Sequence, residues 1–387
     1  MQSNWRVIFL IYAFGLSATS ALGMMGPIVG DIGAAFDVSG QTVGFAIAGQ
    51  LLPLAFAGVL MGWLIDKLGP RPLLGLGVSI IALCSLINAH TQSFTLLRAT
   101  LLLEGIALVA LLTAGQGLLM IITKGTRQIK AMTLWSTVMP VGYALGLLLV
   151  SPFAGSDLWQ RGFLVHGLIF LALACSCVLL PKVRLQTAPG GSLAVLRNRK
   201  VVRFGAALSM SALAGIGTSA VGALYLHQVH GVALAFSAQI MATASLAGVL
   251  GSVLVGLMLT RGWQGLSTAL LVVLVALLGG VAFYVPWGFV SLATAGAVLL
   301  QVAVGGFIAL TYALMPRTLS DPAMAGTAAG LVGQITGIGA TLSAPLFFSA
   351  LAQGQWVLFL VIVAMAWIGS LLVLPVWSQP RTGEALA

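Results

Sequence analysis

Long apolar runs, each interrupted by a short charged or Pro/Gly-containing segment, recur along all 387 residues of the chain. A helix needs about 20 apolar residues to cross a bilayer. Dividing the chain at its charges and Pro/Gly clusters predicts twelve such helices, at 5–30, 41–65, 72–89, 95–121, 130–152, 161–181, 201–227, 235–260, 266–285, 288–315, 323–351 and 355–377. Only Val285-Pro286-Trp287-Gly288 separates the ninth from the tenth. The first apolar stretch, from Arg6 to Val29, is longer than the 7–15 residues of a cleaved signal and is read as a span. The longest polar interruption, 182–200, holds Lys182, Arg184, Pro189-Gly190-Gly191-Ser192, Arg197, Arg199 and Lys200 near the midpoint. It predicts a linker between two six-helix bundles, 1–181 and 201–387. The expected class is an all-α membrane protein.

Composition strengthens this picture. The chain is 60% hydrophobic and 6% charged, against about a quarter charged in soluble domains, so lipid is the expected solvent for most of its surface. The net charge of +10 is spread over short inter-helix segments and forms no continuous basic face, which argues against a nucleic-acid partner. With the N-terminus in the cytoplasm, Lys67, Arg71, Lys124, Arg127, Lys130, the basic residues of 182–203, Arg261, Arg317 and Arg381 all fall on that side, leaving Arg161 and Arg98 for the other. The positive-inside rule thus supports an even span count with both termini cytoplasmic, as expected of a bacterial inner-membrane protein. Cys84, Cys175 and Cys177 lie in apolar runs without metal-ligand spacing. The 48 glycines recur within spans, as at Gly44, Gly49, Gly58 and at Gly326, Gly330, Gly333, Gly337, Gly339; small residues let helices approach closely in lipid.

The segment after the second span reads Gly62-Trp63-Leu64-Ile65-Asp66-Lys67-Leu68-Gly69-Pro70-Arg71-Pro72. It resembles the signature loop of the major facilitator superfamily, with Pro72 where the family carries a last basic residue. Three further stretches resemble family features: Pro27 to Ile32 with Phe36-Asp37-Val38-Ser39 at the exit of span one; Arg98 and Glu104-Gly105 in span four, with Arg98 a turn further from the glycine than in the family; and Met139 to Gly146 with Ser151-Pro152-Phe153-Ala154-Gly155 in span five, where Ser-Pro replaces the Gly-Pro of the antiporter motif. The resemblance implies two bundles related by a pseudo-two-fold, alternating access around a midplane substrate site, a monomer, and a loop that latches the N-terminal bundle to span eleven. Residues of that latch would be Gly62, Asp66, Lys67, Gly69, Arg71, Arg317 and Asp321. Gly62 frees space for a neighbouring helix, and Asp66 can face a helix N-terminus or a cation. Asp321-Pro322 suits an N-cap and first helical position. Asp321 would repel Asp66 unless Lys67, Arg71 or Arg317 lay between them, so a small charge cluster is expected.

Ionisable groups within the hydrocarbon are functional candidates by default. Glu104 has long apolar stretches on both sides and is the candidate for proton coupling; the structural alternative is a carboxyl held in a fixed pairing. Arg98 is six residues away, on a different helix face, so each is expected to meet other helices. Tyr12, Gln50, Arg98, Gln116, Gln239, Gln301, Tyr312 and Gln334 are candidates to line a substrate cavity, with interhelical hydrogen bonding the alternative for each glutamine. His227-x-x-His230 and Met24-Met25 are weak metal candidates, read as ordinary loop and core, and no metal or other cofactor is expected. Gly217-Thr218-Ser219-Ala220 matches a protease step only by chance composition, and no phosphate-binding loop is present. The expectation is a proton-driven carrier of a small molecule, not an enzyme, with efflux slightly preferred over uptake of a nutrient or metal chelate, and a non-transporting receptor as the rival class.

Overall fold

A computed structural model describes residues 4–183, 192–319 and 321–376. Arg184, Pro189, Gly190, Gly191 and Arg381 lie outside them. Among the described residues the regular structure is helical: α1 Trp5–Met25, α2 Val29–Phe36, α3 Gly40–Phe56, α4 Gly58–Leu68, α5 Pro70–Asn88, α6 Phe94–Ile122, α7 Gly125–Ser136, α8 Val138–Val150, α9 Trp159–Cys175, α10 Arg199–His230, α11 Leu234–Thr260, α12 Gly265–Tyr284, α13 Val290–Leu314, α14 Ala325–Ala352 and α15 Trp356–Val373. Among the described residues, eleven helical stretches are long and apolar enough to cross a membrane, and the bent pair α3–α4 makes a twelfth when counted as one span. They fall at the twelve expected places.

Local chemistry explains the boundaries. Asn4, Ser39, Ser93 and Asn198 cap α1, α3, α6 and α10 by accepting backbone N–H bonds. Gly69, at φ +87°, turns the chain between α4 and α5, and Pro70 opens the latter. The first span stops at Met25, short of the expected 30, because Gly26-Pro27 disfavours helix continuation. The chain restarts as the short α2, whose Ile32 joins Met24, Met25, Val43, Leu97, Trp159 and Phe163 in an apolar cluster. Asp31 on α2 accepts the Gly155 N–H at 2.9 Å. Between α3 and α4 the axis turns by 60°. Pro53 supplies no N–H to the preceding turn, and the helix ends three residues later at Phe56, with Ala57 as its C-cap.

The chain forms two compact units. One comprises Met1–Lys124, Val138–Leu196 and Leu319–Gln334; the other comprises Gly125–Thr137, Arg197–Thr318 and Ile335–Ala387. Hence α7 belongs to the second unit, where it packs on α11 and α13, while the first ten residues of α14 belong to the first.

Within each unit the helices meet through small residues. In the first, a Cβ on Gly146 of α8 would overlap the Ser20 carbonyl of α1, and one on Gly105 of α6 would overlap the Gln50 carbonyl of α3. In the second, Gly251 and Gly305 bring α11 against α13 in the same way. Tyr225, Phe283, Tyr284, Phe347 and Phe359 form a fully buried aromatic cluster there, in which the Tyr225 hydroxyl donates to the Tyr284 carbonyl. Large side chains such as Phe45, Leu148, Leu250 and Met365 instead stand more than half exposed. Apolar exposure on that scale marks a surface whose solvent is lipid.

Candidate functional site

Two buried carboxylates in the first unit organise its polar chemistry. Asp66, in the last turn of α4, is 1% exposed. Its Oδ1 accepts the Gly326 N–H at 2.9 Å, and its Oδ2 accepts the Thr327 N–H at 2.9 Å and the Thr327 hydroxyl. Those amides are the second and third of α14, the donors that an N-cap side chain ordinarily satisfies. Asp66 therefore caps α14 from another helix. Charge-assisted hydrogen bonds contribute about 1.5–3 kcal/mol each, and the helix N-terminus adds attraction for the anion.

The approach depends on absent side chains. A Cβ on Gly62 would lie 2.6 Å from the Thr327 Cα, and one on Gly330 would lie 2.8 Å from the Gly58 carbonyl carbon. These contacts make α4 and the start of α14 antiparallel. At the other end of the crossing, the break at Ala57 leaves the first N–H groups of α4 without helical partners. Gln334 Oε1 accepts one of them, Val59 N–H, at 2.9 Å. Each helix thus caps the other's N-terminus.

The cations expected beside Asp66 stand elsewhere. Lys67 stands 5.0 Å over the Trp63 ring, and Arg71 donates to the Val178 carbonyl at 3.1 Å. Arg317 is exposed on the turn Met315–Thr318 of the second unit. Asp321 accepts the Ala323 N–H at 2.8 Å and so caps the single turn Pro322–Met324 that leads into α14. A helix terminus and a hydroxyl, instead of a cation, meet Asp66.

Glu104, also 1% exposed, sits on α6 facing α3. Its Oε2 accepts the Gln50 Nε2–H at 2.9 Å, while its Oε1 and the Gln50 Oε1 are buried without a partner. The closeness of α3 and α6 follows from Gly105, whose Cβ would meet the Pro53 ring at 3.1 Å. Arg98 is exposed near the start of α6 and Tyr12 is half-buried on α1. Gln116 is buried on α6, its Nε2 without a partner. In the second unit Gln301 donates to Ser219 at 2.7 Å, Tyr312 is half-buried, and Gln239 is exposed. The His227 Nδ1 bonds the Val232 carbonyl at 2.8 Å, whereas the His230 ring packs near Tyr225.

Two features escaped sequence reasoning. Thr327 looks like one more small helical residue. His166 is fully buried, bonded to Ser20 at 2.9 Å and Ser85 at 2.8 Å, and ties α9 to α1 and α5; its position within an apolar run was the only signal.

This helical, multi-pass architecture is that of a polytopic membrane protein. Residues 8–344 match the sequence profile of the Major Facilitator Superfamily, and the chain belongs to that family. A comparison with curated protein sequences gives no match. Among solved structures, the chain resembles the human organic anion transporter MFSD10 (TETRAN), with a TM-score of 0.72 at 16% identity over 95% of this chain and 98% of that one. It also resembles the proton:xylose symporter XylE bound to 6-bromo-6-deoxy-D-glucose, with a TM-score of 0.73 at 13% identity over 96% and 95%. The outward conformation of FucP matches with a TM-score of 0.71 at 14% identity over 97% and 100%. At these identities the likeness is one of fold. The family and these neighbours are transporters, not enzymes.

Proposed function

We propose that the protein is a secondary carrier that moves a small organic molecule by alternating access, driven by a proton gradient, with Glu104 as the proton-carrying group. The observation that carries this reading is a carboxyl enclosed within a membrane helix and met by a single neutral amide donor, Gln50. Such a group is costly to keep in a bilayer without a purpose. The structural alternative, a fixed pairing, would be expected to satisfy both carboxyl oxygens, and here Oε1 has no partner. The Asp66 cap and its Gln334 counterpart act in this reading as a latch that is made and broken during the cycle. Gly62, Asp66, Gly69, Gln334 and the Thr327 end of α14 form it, and Asp321, just ahead of α14, adds a second negative charge near Asp66. Tyr12, Gln50, Arg98 and Gln116 in the first unit, and Gln239, Gln301 and Tyr312 in the second, are the candidate substrate contacts.

The distribution of basic loop residues supports an inner-membrane location with cytoplasmic termini, and the partial antiporter-like stretch of span five favours efflux over uptake. A monomer suffices for this mechanism. A ligand-stabilisation screen of the purified protein, followed by flux in inside-out and right-side-out vesicles, tests substrate and direction together. Glu104→Gln should abolish gradient-driven uphill flux while leaving downhill exchange; unchanged uphill transport would remove Glu104 from the mechanism.

A further inference from the structure

We propose that Gln50 is the positioning partner of Glu104, and that the two side chains alternate between a closed acid–amide ring and a singly bonded pair as Glu104 gains and loses its proton. This deepens the reading of Glu104 as the proton carrier and rests on it. The two groups meet across the contact of α3 with α6 through one bond, Gln50 Nε2–H to Glu104 Oε2 at 2.9 Å, and each leaves one oxygen buried and unpartnered. A carboxyl and a primary amide can make two antiparallel hydrogen bonds, but only when the carboxyl is protonated: the amide N–H donates to one carboxyl oxygen and the acid O–H donates to the amide oxygen. The proton thus supplies the donor that both orphaned oxygens lack. Without it the pair holds two acceptors that no neighbouring group satisfies, a costly state in a dry interior.

The surroundings leave few competitors. On the helices packed against α6, the ionisable side chains are Arg71 and Cys84 of α5, Arg6 and Tyr12 of α1, and Asp66 and Lys67 of α4, while α3 carries none. Of these, Cys84 is near enough to interact electrostatically with Glu104, and Asp66 already accepts from α14. The ring would close on the turn of α3 that holds Pro53, just ahead of the 60° bend into α4. The proton on Glu104 is therefore read by the helix pair whose far end carries Asp66.

Infrared difference spectroscopy of the purified full-length protein, acid minus alkaline, tests this without a substrate. The wild type should show a protonated carboxyl C=O band that Glu104→Gln removes. Gln50→Met, similar in length but without an amide, should move that band to higher wavenumber, as expected for a carbonyl that has lost its donor. Gln50→Asn, one methylene short, should do the same, so the test survives if one variant fails to fold. A band unmoved in variants that remain monodisperse overturns the pairing, yet leaves the proton-carrier reading intact if Glu104→Gln still abolishes gradient-driven flux. Absence of any Glu104-dependent band across the titration overturns both.

Discussion

Two helix crossings in this molecule share a sequence pattern and differ in chemistry. In the first unit α4 carries Gly62 and, four residues on, Asp66 followed by Lys67; in the second, α11 carries Gly256 and, four residues on, Thr260 followed by Arg261. Each packs a glycine against a segment that enters its unit from elsewhere in the chain, the start of α14 in one case and α7 in the other. A Cβ on Gly62 would strike backbone, whereas one on Gly256 would strike the Thr133 side chain, 2.9 Å from its Cβ. Asp66 satisfies three donors at the α14 terminus, whereas the exposed Thr260 hydroxyl turns back to the Leu257 carbonyl at 3.0 Å. Glycine spacing permits close approach in both places, and the carboxylate converts only the first into a bonded, charge-assisted contact. Stability and transport should therefore be far more sensitive at the first crossing than at the second.

Removing the carboxylate is the strongest way to break that contrast. Asp66→Ala leaves two amides and a hydroxyl without an acceptor, at about 1–3 kcal/mol for each buried group, so a loss of roughly 3 kcal/mol or more is expected as a lowered melting temperature in detergent. Asp66→Asn keeps an acceptor oxygen and should lose less stability while still impairing cycling. A lowered substrate affinity with normal turnover would count against a latch.

Next in size, Gly330→Ala places a Cβ against the Gly58 backbone and should cost about 1–3 kcal/mol through overpacking. Gln334→Leu should cost about 1 kcal/mol by leaving the Val59 N–H without its acceptor. If Gln334→Leu matched Asp66→Ala in both melting temperature and turnover, the charge would not be what distinguishes this crossing.

These contrasts were only partly legible in the sequence. The twelve spans followed from apolar length, which depends on local composition, and the Gly62-to-Asp66 spacing marked a place where a helix could come close and meet a carboxylate. The donors themselves were hidden because Thr327 lies 261 residues from Asp66, and nothing local distinguishes it from other helical threonines. Gln50 and Glu104 were each visible as polar residues in apolar runs, yet their pairing depends on which faces of α3 and α6 meet. Gln334 read as a cavity residue because the broken α3–α4 helix, which creates the free Val59 N–H, read as one continuous span. Composition identifies a polar group in lipid; only the fold says which partner satisfies it.

The smallest expected effect is also the one that isolates the second crossing. Thr133 of α7 packs against Gly256, and its Oγ1 is buried without a hydrogen-bond partner. Thr133→Val replaces that hydroxyl with a methyl of similar size, removing an unsatisfied polar atom while keeping the shape that fills the glycine's space. A gain of up to about 1 kcal/mol is expected, read as a slightly higher melting temperature with unchanged transport. A marked loss of stability would mean that the Thr133 hydroxyl holds a bond the second crossing needs, and the two crossings would then be polar contacts of the same kind.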